Sequence, residues 1–255
     1  GYDPNRNWPS DWQPEWIQYG AGEYPFSLPE TAAVGSFVYD HPNIAAYQSY
    51  HNAGGMILYG PNATYVSYPG SDLRILGELS EEGARMLPFY DPMTVHSDLY
   101  VVHGGEDGWT YEGLGIISFT NELWTDKRMF ARDEGPSRED QRMFRDMLQF
   151  EDVYVPYHEV EHPTYGTVLV GGTKKFSSRI TPPWMLEEGC HRNFAFTMYH
   201  ADQMPLVRFG ALRVRNLHGD LWEVTTEVVN DRIIPTRTAM ASRHKIGLPD
   251  FMTCD

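Results

Sequence analysis

The fold is decided by the stretch GIISFTNEL at residues 115–123. Its β-branched and aromatic residues predict a short buried strand over 115–120 that delivers Glu122 at its end. Two further apolar runs have the same character, one at residues 56–59 and one at residues 44–50, which leads into His51. The sequence therefore places two side chains capable of acid–base chemistry at the ends of predicted strands.

Helix signals alternate with these strands. Residues 27–30, Ser-Leu-Pro-Glu, have the spacing of a capping box with proline just inside the helix. The apolar face of this helix would consist of Val34, Phe37 and Val38. A second helix is indicated within residues 72–90, and a third begins at Ser137. Helices that alternate with strands are typical of an α/β domain with a mainly parallel sheet, which we expect over residues 1–150.

The amino-acid composition changes after residue 150. Residues 151–200 are rich in proline and glycine, which favours a connecting segment. Residues 201–255 carry three strand-like patterns, at 207–214, 221–229 and 233–239. Three strands predict a small β-sandwich-like domain that is incomplete within this sequence.

Composition excludes several classes of protein. The 255 residues carry a net charge of −15, and phosphate-backbone binding requires a basic surface, so a nucleic-acid partner is not expected. No apolar stretch reaches the roughly 18 residues that span a bilayer, so no membrane span is expected. Cys190 and Cys254 are too few for a disulfide framework, although one bond between them would be possible.

Two short motifs suggest metal binding but have stronger alternatives. HEVEH at residues 158–162 matches H-E-x-x-H, which binds zinc only when a helix places both imidazoles on one side. The β-like run before it and Pro163 after it favour a surface strand or turn. HGGE at residues 103–106 could supply two ligands, but its two glycines favour a flexible loop.

A third constellation is spread along the chain and consists of His51, Tyr100 and Glu122. Active sites of open α/β sheets lie at the carboxyl ends of strands, where His51 and Glu122 are predicted. Residues at strand ends are equally often structural groups held by hydrogen bonds. Both interpretations remain open on spacing alone.

Four motifs stand in a recognisable order along residues 1–150. They are DPNRNW at 3–8, QSYH at 48–51 with ILY at 57–59, GG at 104–105 with WTY at 109–111, and SFTNEL at 118–123. This series resembles the zinc metallocarboxypeptidases, the carboxypeptidase A-like or funnelin family. The resemblance implies part of a three-layer α/β/α domain with a mainly parallel mixed sheet. Residues 151–255 more loosely resemble the C-terminal extension of large bacterial members.

The resemblance also implies roles for six residues. His51 matches a zinc ligand, and Glu122 matches the general base that takes a proton from the metal-bound water and passes it to the leaving amine. Asn5 and Arg6 match the pair that grips the C-terminal carboxylate of the substrate. Tyr100 matches the mobile tyrosine that closes over bound substrate. Asp107 falls at the base of the side-chain specificity pocket, where an acid would favour a C-terminal Lys or Arg; a plain loop acid is the alternative.

The sequence departs from the family pattern at the metal. The family takes its other two zinc ligands from an H-x-x-E motif on the N-terminal side of the Asn-Arg pair, and only four residues precede Asn5 here. We therefore expect this chain to be the C-terminal part of a longer secreted or cell-envelope enzyme and to be inactive alone. The expected cofactor is Zn²⁺ with ligands outside this chain. The expected partners are a peptide substrate and an N-terminal piece of the same precursor.

Two functions from other classes remain as alternatives. One is a non-catalytic module that binds peptides or glycans on a carboxypeptidase-like scaffold. The other is a structural or surface protein that uses its aromatic residues for contacts. The sequon Asn62-Ala63-Thr64 would also allow a glycan in a eukaryotic secretory setting.

Overall fold

The centre of the molecule is a four-stranded mixed sheet. The computed structural model describes residues 1–150, 152–174, 177 and 179–253. The strands are β1 (Ala46–Asn52), β2 (Met56–Tyr59), β3 (Asp91–Thr94) and β4 (Ile117–Leu123), in the spatial order β1-β4-β2-β3. β1 pairs with β4 and β2 with β3 in parallel, whereas β2 and β4 are antiparallel. The predicted α/β class with a mainly parallel mixed sheet is confirmed.

Six α-helices accompany the sheet in the described part of the chain. They are α1 (Pro29–Asp40), α2 (Gly70–Met86), the short α3 (Glu106–Gly108), α4 (Arg138–Leu148), α5 (Pro183–Asp202) and α6 (Ala239–His244). The apolar side of α2 packs Leu76 and Leu79 onto Ile57 and Phe119 of the sheet, all fully buried. Burial of such side chains contributes about 1.5–3 kcal/mol each.

Helix α5 closes this core from outside the predicted catalytic region. Its Phe196 is fully buried and packs on Phe119, with ring centroids 5.8 Å apart. A Cβ at Gly83 of α2 would lie 2.7 Å from the Phe196 ring, so only glycine allows α2 and α5 to approach this closely. Residues 183–202 therefore do more than connect two domains, because they complete the hydrophobic core.

The start of α1 differs from the expected capping box. Leu28 is the N-cap residue and makes no side-chain cap, while Ser27 Oγ accepts a hydrogen bond from Asn7 Nδ2. Asn7 Oδ1 accepts from Leu28 N at 3.0 Å and from Thr31 Oγ1 at 2.8 Å, so a residue distant in sequence caps the helix. Of the predicted apolar face only Val38 is buried, since Val34 and Phe37 are exposed. The helix predicted to begin at Ser137, by contrast, is confirmed as α4, and a capping box of Ser137 and Asp140 starts it.

The region after residue 150 contains small separate sheets. β5 (Tyr154–His162) and β6 (Gly166–Thr173) form a hairpin. The remaining strands are β7 (Val207–Phe209), β8 (Arg213–His218), β9 (Leu221–Thr225) and β10 (Val228–Asn230), paired as β7-β10 and β8-β9.

These sheets differ from the expected sandwich in two ways. The predicted strand 221–229 is divided between two sheets, and all of β8 and β9 is exposed, so the described strands do not pack face to face. The strand predicted over 233–239 is wrong: this segment is irregular, and it anchors instead through the buried Ile234. The domain boundaries at 150 and 200 stay a prediction. Cys254 lies outside the described residues, so the possible bond between it and Cys190 is not tested; Cys190 is exposed and has no disulfide partner within the described residues.

No helix in the described ranges combines the length and the apolar character that a membrane crossing requires.

Candidate active site

One cavity of about 260 Å³ opens beside the ends of β1 and β4. All six residues singled out in the sequence line it: Asn5, Arg6, His51, Tyr100, Asp107 and Glu122. They come from five different places in the chain, so only the fold brings them together. Their individual roles stay predictions.

His51 and Glu122 face each other across the two parallel strands. The register of β1 and β4 pairs these two residues directly, and His51 Nδ1 lies 3.5 Å from Glu122 Oε1. Both side chains are mostly shielded from solvent, with exposed fractions of 29% and 15%. The hydrogen bond to Glu122 raises the pKa of His51, and the negative charges of Glu106 and Asp107 add to this against the opposing effect of burial.

Asn5 and Arg6 lie on a single turn of 3₁₀ helix, Pro4–Arg6. Asp3 Oδ1 accepts from the backbone N–H of Asn5 at 2.9 Å and so fixes the start of the turn. Asn5 Oδ1 accepts from Glu106 N at 2.9 Å, which joins the turn to α3. Arg6 Nη1 donates to Asn5 O at 2.7 Å, and within the described ranges its guanidinium has no acidic partner. Its other donors are available to a ligand.

The Gly-Gly pair of the motif allows this turn to reach the cavity. Gly104 has φ +69°, and a Cβ there would lie 2.3 Å from the carbonyl oxygen of Arg6. Gly104 O accepts from Trp8 N at 3.1 Å, so the two segments run in direct backbone contact. Any side chain at residue 104 would push Arg6 away, because the close approach leaves no room for it.

Asp107 is a buried carboxylate at the wall of the cavity. Its Oδ1 accepts from Asn62 Nδ2 at 2.9 Å, while Asp107 Oδ2 and Asn62 Oδ1 are both buried without a partner among the described residues. Burial raises the pKa of Asp107, partly offset by the bond from Asn62. Asp107 Oδ2 and Asn62 Oδ1 could therefore each accept a further hydrogen bond. Asn62 is only 4% exposed, which argues against its sequon carrying a glycan in the folded protein.

Tyr100 lies at the mouth of the cavity, directly after the π-helical turn Val95–Leu99. It is 58% exposed, and its backbone N–H donates to Val95 O at 3.1 Å. The backbone is therefore held while the ring is free to turn toward a ligand.

The residues of the two competing metal motifs make other contacts or lie in the wrong secondary structure for zinc binding. His103 Nδ1 lies 2.8 Å from Asp11 Oδ2, and Glu106 accepts a hydrogen bond from Tyr47, so they do not act as a pair. His158 and His162 lie on the exposed strand β5, where the geometry needed for H-E-x-x-H is absent because it requires a helix.

A family model described as zinc carboxypeptidase matches residues 1–144. The chain belongs to the zinc carboxypeptidase family. Carboxypeptidase A1 of Mus musculus is 29% identical over 134 residues, and the match covers 48% of this chain and 32% of the relative. Carboxypeptidase B2 of Mus musculus is 34% identical over 143 residues, with the same coverage of 48% and 32%. The chain thus spans about a third of the length of these two curated relatives.

Two solved structures also match part of the chain. Thrombin activatable fibrinolysis inhibitor is 29% identical with a TM-score of 0.44, over 49% of this chain and 34% of that one. The bovine form of that protein, solved with tick carboxypeptidase inhibitor, is 29% identical with a TM-score of 0.42, over 49% of this chain and 46% of that one.

The donor set of the described residues does not make a complete zinc site. Catalytic zinc is held by three protein ligands and one open position. No group of three or more His, Cys, Asp or Glu side chains with metal-binding geometry occurs in the part of the chain that the structure describes. His51 supplies one imidazole of suitable chemistry, and Glu122 beside it supplies a carboxylate.

One residue that lines the cavity, Arg179, and one that lies beside it, Glu106, were not predicted as site residues. Glu106 enters the sequence argument only as half of the H-x-x-E motif at residues 103–106. Burial raises the pKa of its carboxyl group, and its backbone N–H donates a hydrogen bond to Asn5 Oδ1. Arg179 lines the cavity from the region expected to be a connection, and its Nη2 donates to Asn52 O at 2.8 Å. Neither contact leaves a local signal, because the partners are far apart in the sequence.

Proposed function

We propose that the whole protein is a zinc-dependent carboxypeptidase that removes C-terminal residues from peptides. The observation that carries this proposal is the cavity that joins Arg6, which has no acidic partner among the described residues, with the His51–Glu122 pair and the buried Asp107. Membership of the zinc carboxypeptidase family supports it. We further propose that the protein acts outside the cytoplasm, as a secreted or envelope enzyme.

Binding begins with the carboxylate of the substrate. The planar guanidinium of Arg6 can donate two parallel hydrogen bonds to its two oxygens, which makes the pairing specific for a free C-terminus. Asn5 lies on the same turn with its amide oxygen bound to Glu106 N, which leaves its amide nitrogen for the same carboxylate. A peptide with a blocked C-terminus would lose these charge-assisted bonds.

Proton transfer falls to Glu122. Its carboxylate would take a proton from the attacking water and then give it to the leaving amine, which is the ordinary work of a general base and acid. Zinc, when bound, activates water and polarises the carbonyl. His51 would be one ligand in the whole protein, with the remaining ligands contributed from outside the described residues.

Substrate preference would follow from Asp107. A Lys or Arg side chain of the substrate would place a donor against Asp107 Oδ2, a buried oxygen of the cavity lining without a partner among the described residues. An apolar side chain would leave this oxygen unsatisfied, at a cost of about 1–3 kcal/mol for a buried acceptor. We therefore propose a preference for basic C-terminal residues.

The test is product analysis with the whole protein in the presence of Zn²⁺. Acetyl-Ala-Ala-Lys should release free lysine and acetyl-Ala-Ala, detected by mass spectrometry, while the C-terminal amide of the same peptide should not be cut. Cleavage of both peptides, or at an internal bond, would contradict the proposal. Tight binding of the free acid without cleavage, at full zinc occupancy, would instead identify a non-catalytic peptide-binding protein. The chain of 255 residues alone should bind the peptide without cutting it.

A further inference from the structure

Arg179 is a charged residue of the cavity to which the proposed function assigns no role. It lies outside the residues 1–144 that match the family. Its Nη2 donates to the carbonyl oxygen of Asn52 at 2.8 Å, one residue after His51. Across the described ranges it has no acidic partner within salt-bridge distance. A guanidinium held by one backbone bond keeps its other donors free.

Contacts divide the lining of the cavity into two parts. Asn5 and Arg6 are joined to α3, and hence to Asp107, by the bond from Glu106 N to Asn5 Oδ1. Arg179 instead contacts Asn52, the last residue of β1, which follows His51. The proposed function puts the C-terminal residue of the substrate at Arg6 and Asp107 and the cleaved bond at Glu122. The residue before that bond is therefore left for the part of the cavity that holds Arg179.

A second cleft borders Arg179 and offers room for the rest of the peptide. This cleft of about 430 Å³ is lined by Ala53, Gly54, Trp124 and their neighbours, and Arg179 lines it as well as the cavity. Arg179 is therefore a wall of both spaces. The other charged residues of the cleft are Asp126 and Lys127, of opposite sign, and Lys127 is paired with Asp91 at 2.8 Å. Arg179 is the cationic side chain that both linings share, and within the described residues it forms no ion pair.

We propose that Arg179 binds an acidic side chain at the penultimate position of the substrate. The preferred peptide then carries Asp or Glu followed by a basic C-terminal residue, with three charges matched by Arg6, Asp107 and Arg179. This inference rests on the proposed function for the direction in which the peptide lies. A guanidinium and a carboxylate pair through two parallel hydrogen bonds, so Lys in place of Arg179 would bind the acidic side chain less well.

The test is a binding titration of the chain with three probe peptides, acetyl-Ala-Asp-Lys, acetyl-Ala-Ala-Lys and acetyl-Ala-Lys-Lys, at low ionic strength. We expect the Asp peptide to bind about fivefold more tightly than the Ala peptide, the upper range for a partly exposed ion pair. Arg179→Ala should remove this preference, and Arg179→Glu should reverse it toward the Lys peptide. Arg215→Ala, on the exposed strand β8, is the matched control and should leave it unchanged. Melting temperatures verify that each variant is folded.

The outcomes separate this inference from the function on which it rests. If the C-terminal amide of the Ala peptide binds as well as its free acid, the proposed function fails. If the free acid is required but the three peptides bind equally, or if Arg179→Glu keeps the Asp preference, then the role of Arg179 alone is overturned. Loss of the preference in 1 M salt is expected as well, because the pair is near the surface and would be screened.

Discussion

His51 and Glu122 are partners in the register of two parallel strands, and their side chains meet with Nδ1 and Oε1 3.5 Å apart. The sheet therefore fixes the geometry of this pair through backbone hydrogen bonds, and loops contribute little to it. A site built on paired strands is held more precisely than one built on loops. Predictions about Glu122 can accordingly be made without expecting rearrangement of the fold.

Replacing Glu122 with Gln should separate binding from turnover. The amide has nearly the same shape but cannot accept the proton, so kcat of the whole protein should fall by about 10²–10⁴-fold while peptide affinity changes little. Steady-state kinetics with acetyl-Ala-Ala-Lys measure this. Glu159→Gln on the exposed strand β5 is the control and should keep full activity. An unchanged kcat in Glu122→Gln would assign the base to another residue.

Replacing Asp107 with Asn should change which peptides bind. The Asn62 bond to residue 107 can persist, but the negative charge that would meet a basic side chain is lost. Breaking a desolvated charge pair costs about 2–5 kcal/mol, so the affinity for acetyl-Ala-Lys should fall by at least that lower bound. Affinity for acetyl-Ala-Leu should not fall. Equal losses for both peptides would mean that Asp107 serves only the structure.

His200 should make the stability of the protein depend on pH. The side chain is 2% exposed, lies between Phe119 and Phe196, and burial lowers its pKa to about 4 from 6.5. Between pH 6.5 and pH 4 the His200 imidazole is therefore protonated in the unfolded state but neutral in the folded state. The free energy of unfolding decreases as pH falls through this range. The full effect is about 3 kcal/mol.

Urea unfolding between pH 7 and pH 4 measures this dependence. His200→Gln should reduce the loss of unfolding free energy over that range, whatever its effect at pH 7. His158→Gln, at an exposed position of β5, should leave the loss as in the unmodified chain. The same slope in all three proteins would contradict the assignment to His200.

Truncation of Phe196 should destabilise the sheet that carries the site. Phe196→Ala removes a fully buried ring from between Phe119 and Gly83, at an expected cost of about 3–5 kcal/mol in unfolding free energy. Phe194→Ala, two residues earlier and 61% exposed, is the matched control and should change it little. Equal stability of the two variants would mean that α5 folds separately from the residues that match the family.

The sequence predicts the local parts of this molecule and misses the contacts between distant parts. The apolar run MILY becomes β2 as expected, and Ser137 caps α4 through its own neighbour Asp140. Asn7, by contrast, caps α1 from a separate loop, and this contact displaced the capping box expected at Ser27. Propensity and spacing describe neighbours along the chain, whereas such caps depend on tertiary packing.

The same division holds at the candidate site. His51 and Glu122 could be placed because both lie at the ends of apolar runs, where open α/β sheets gather functional residues. The partnership of Asp107 with Asn62 and the reach of Arg179 to Asn52 could not be anticipated, since they join segments separated by many residues. The expected sandwich differs from the structure for a similar reason. The alternating pattern of β9 indicates an apolar face but not whether another sheet covers it, and β9 is exposed.

The most direct test of the account is whether this cavity recognises a free peptide C-terminus through Arg6. Isothermal titration of the chain with acetyl-Ala-Lys and with its C-terminal amide, each repeated on Arg6→Met, compares the four affinities. The free acid should bind more tightly by about 2 kcal/mol or more, and Arg6→Met should abolish this difference. Equal affinity for acid and amide in the unmodified chain, or a difference that survives in Arg6→Met, would contradict it.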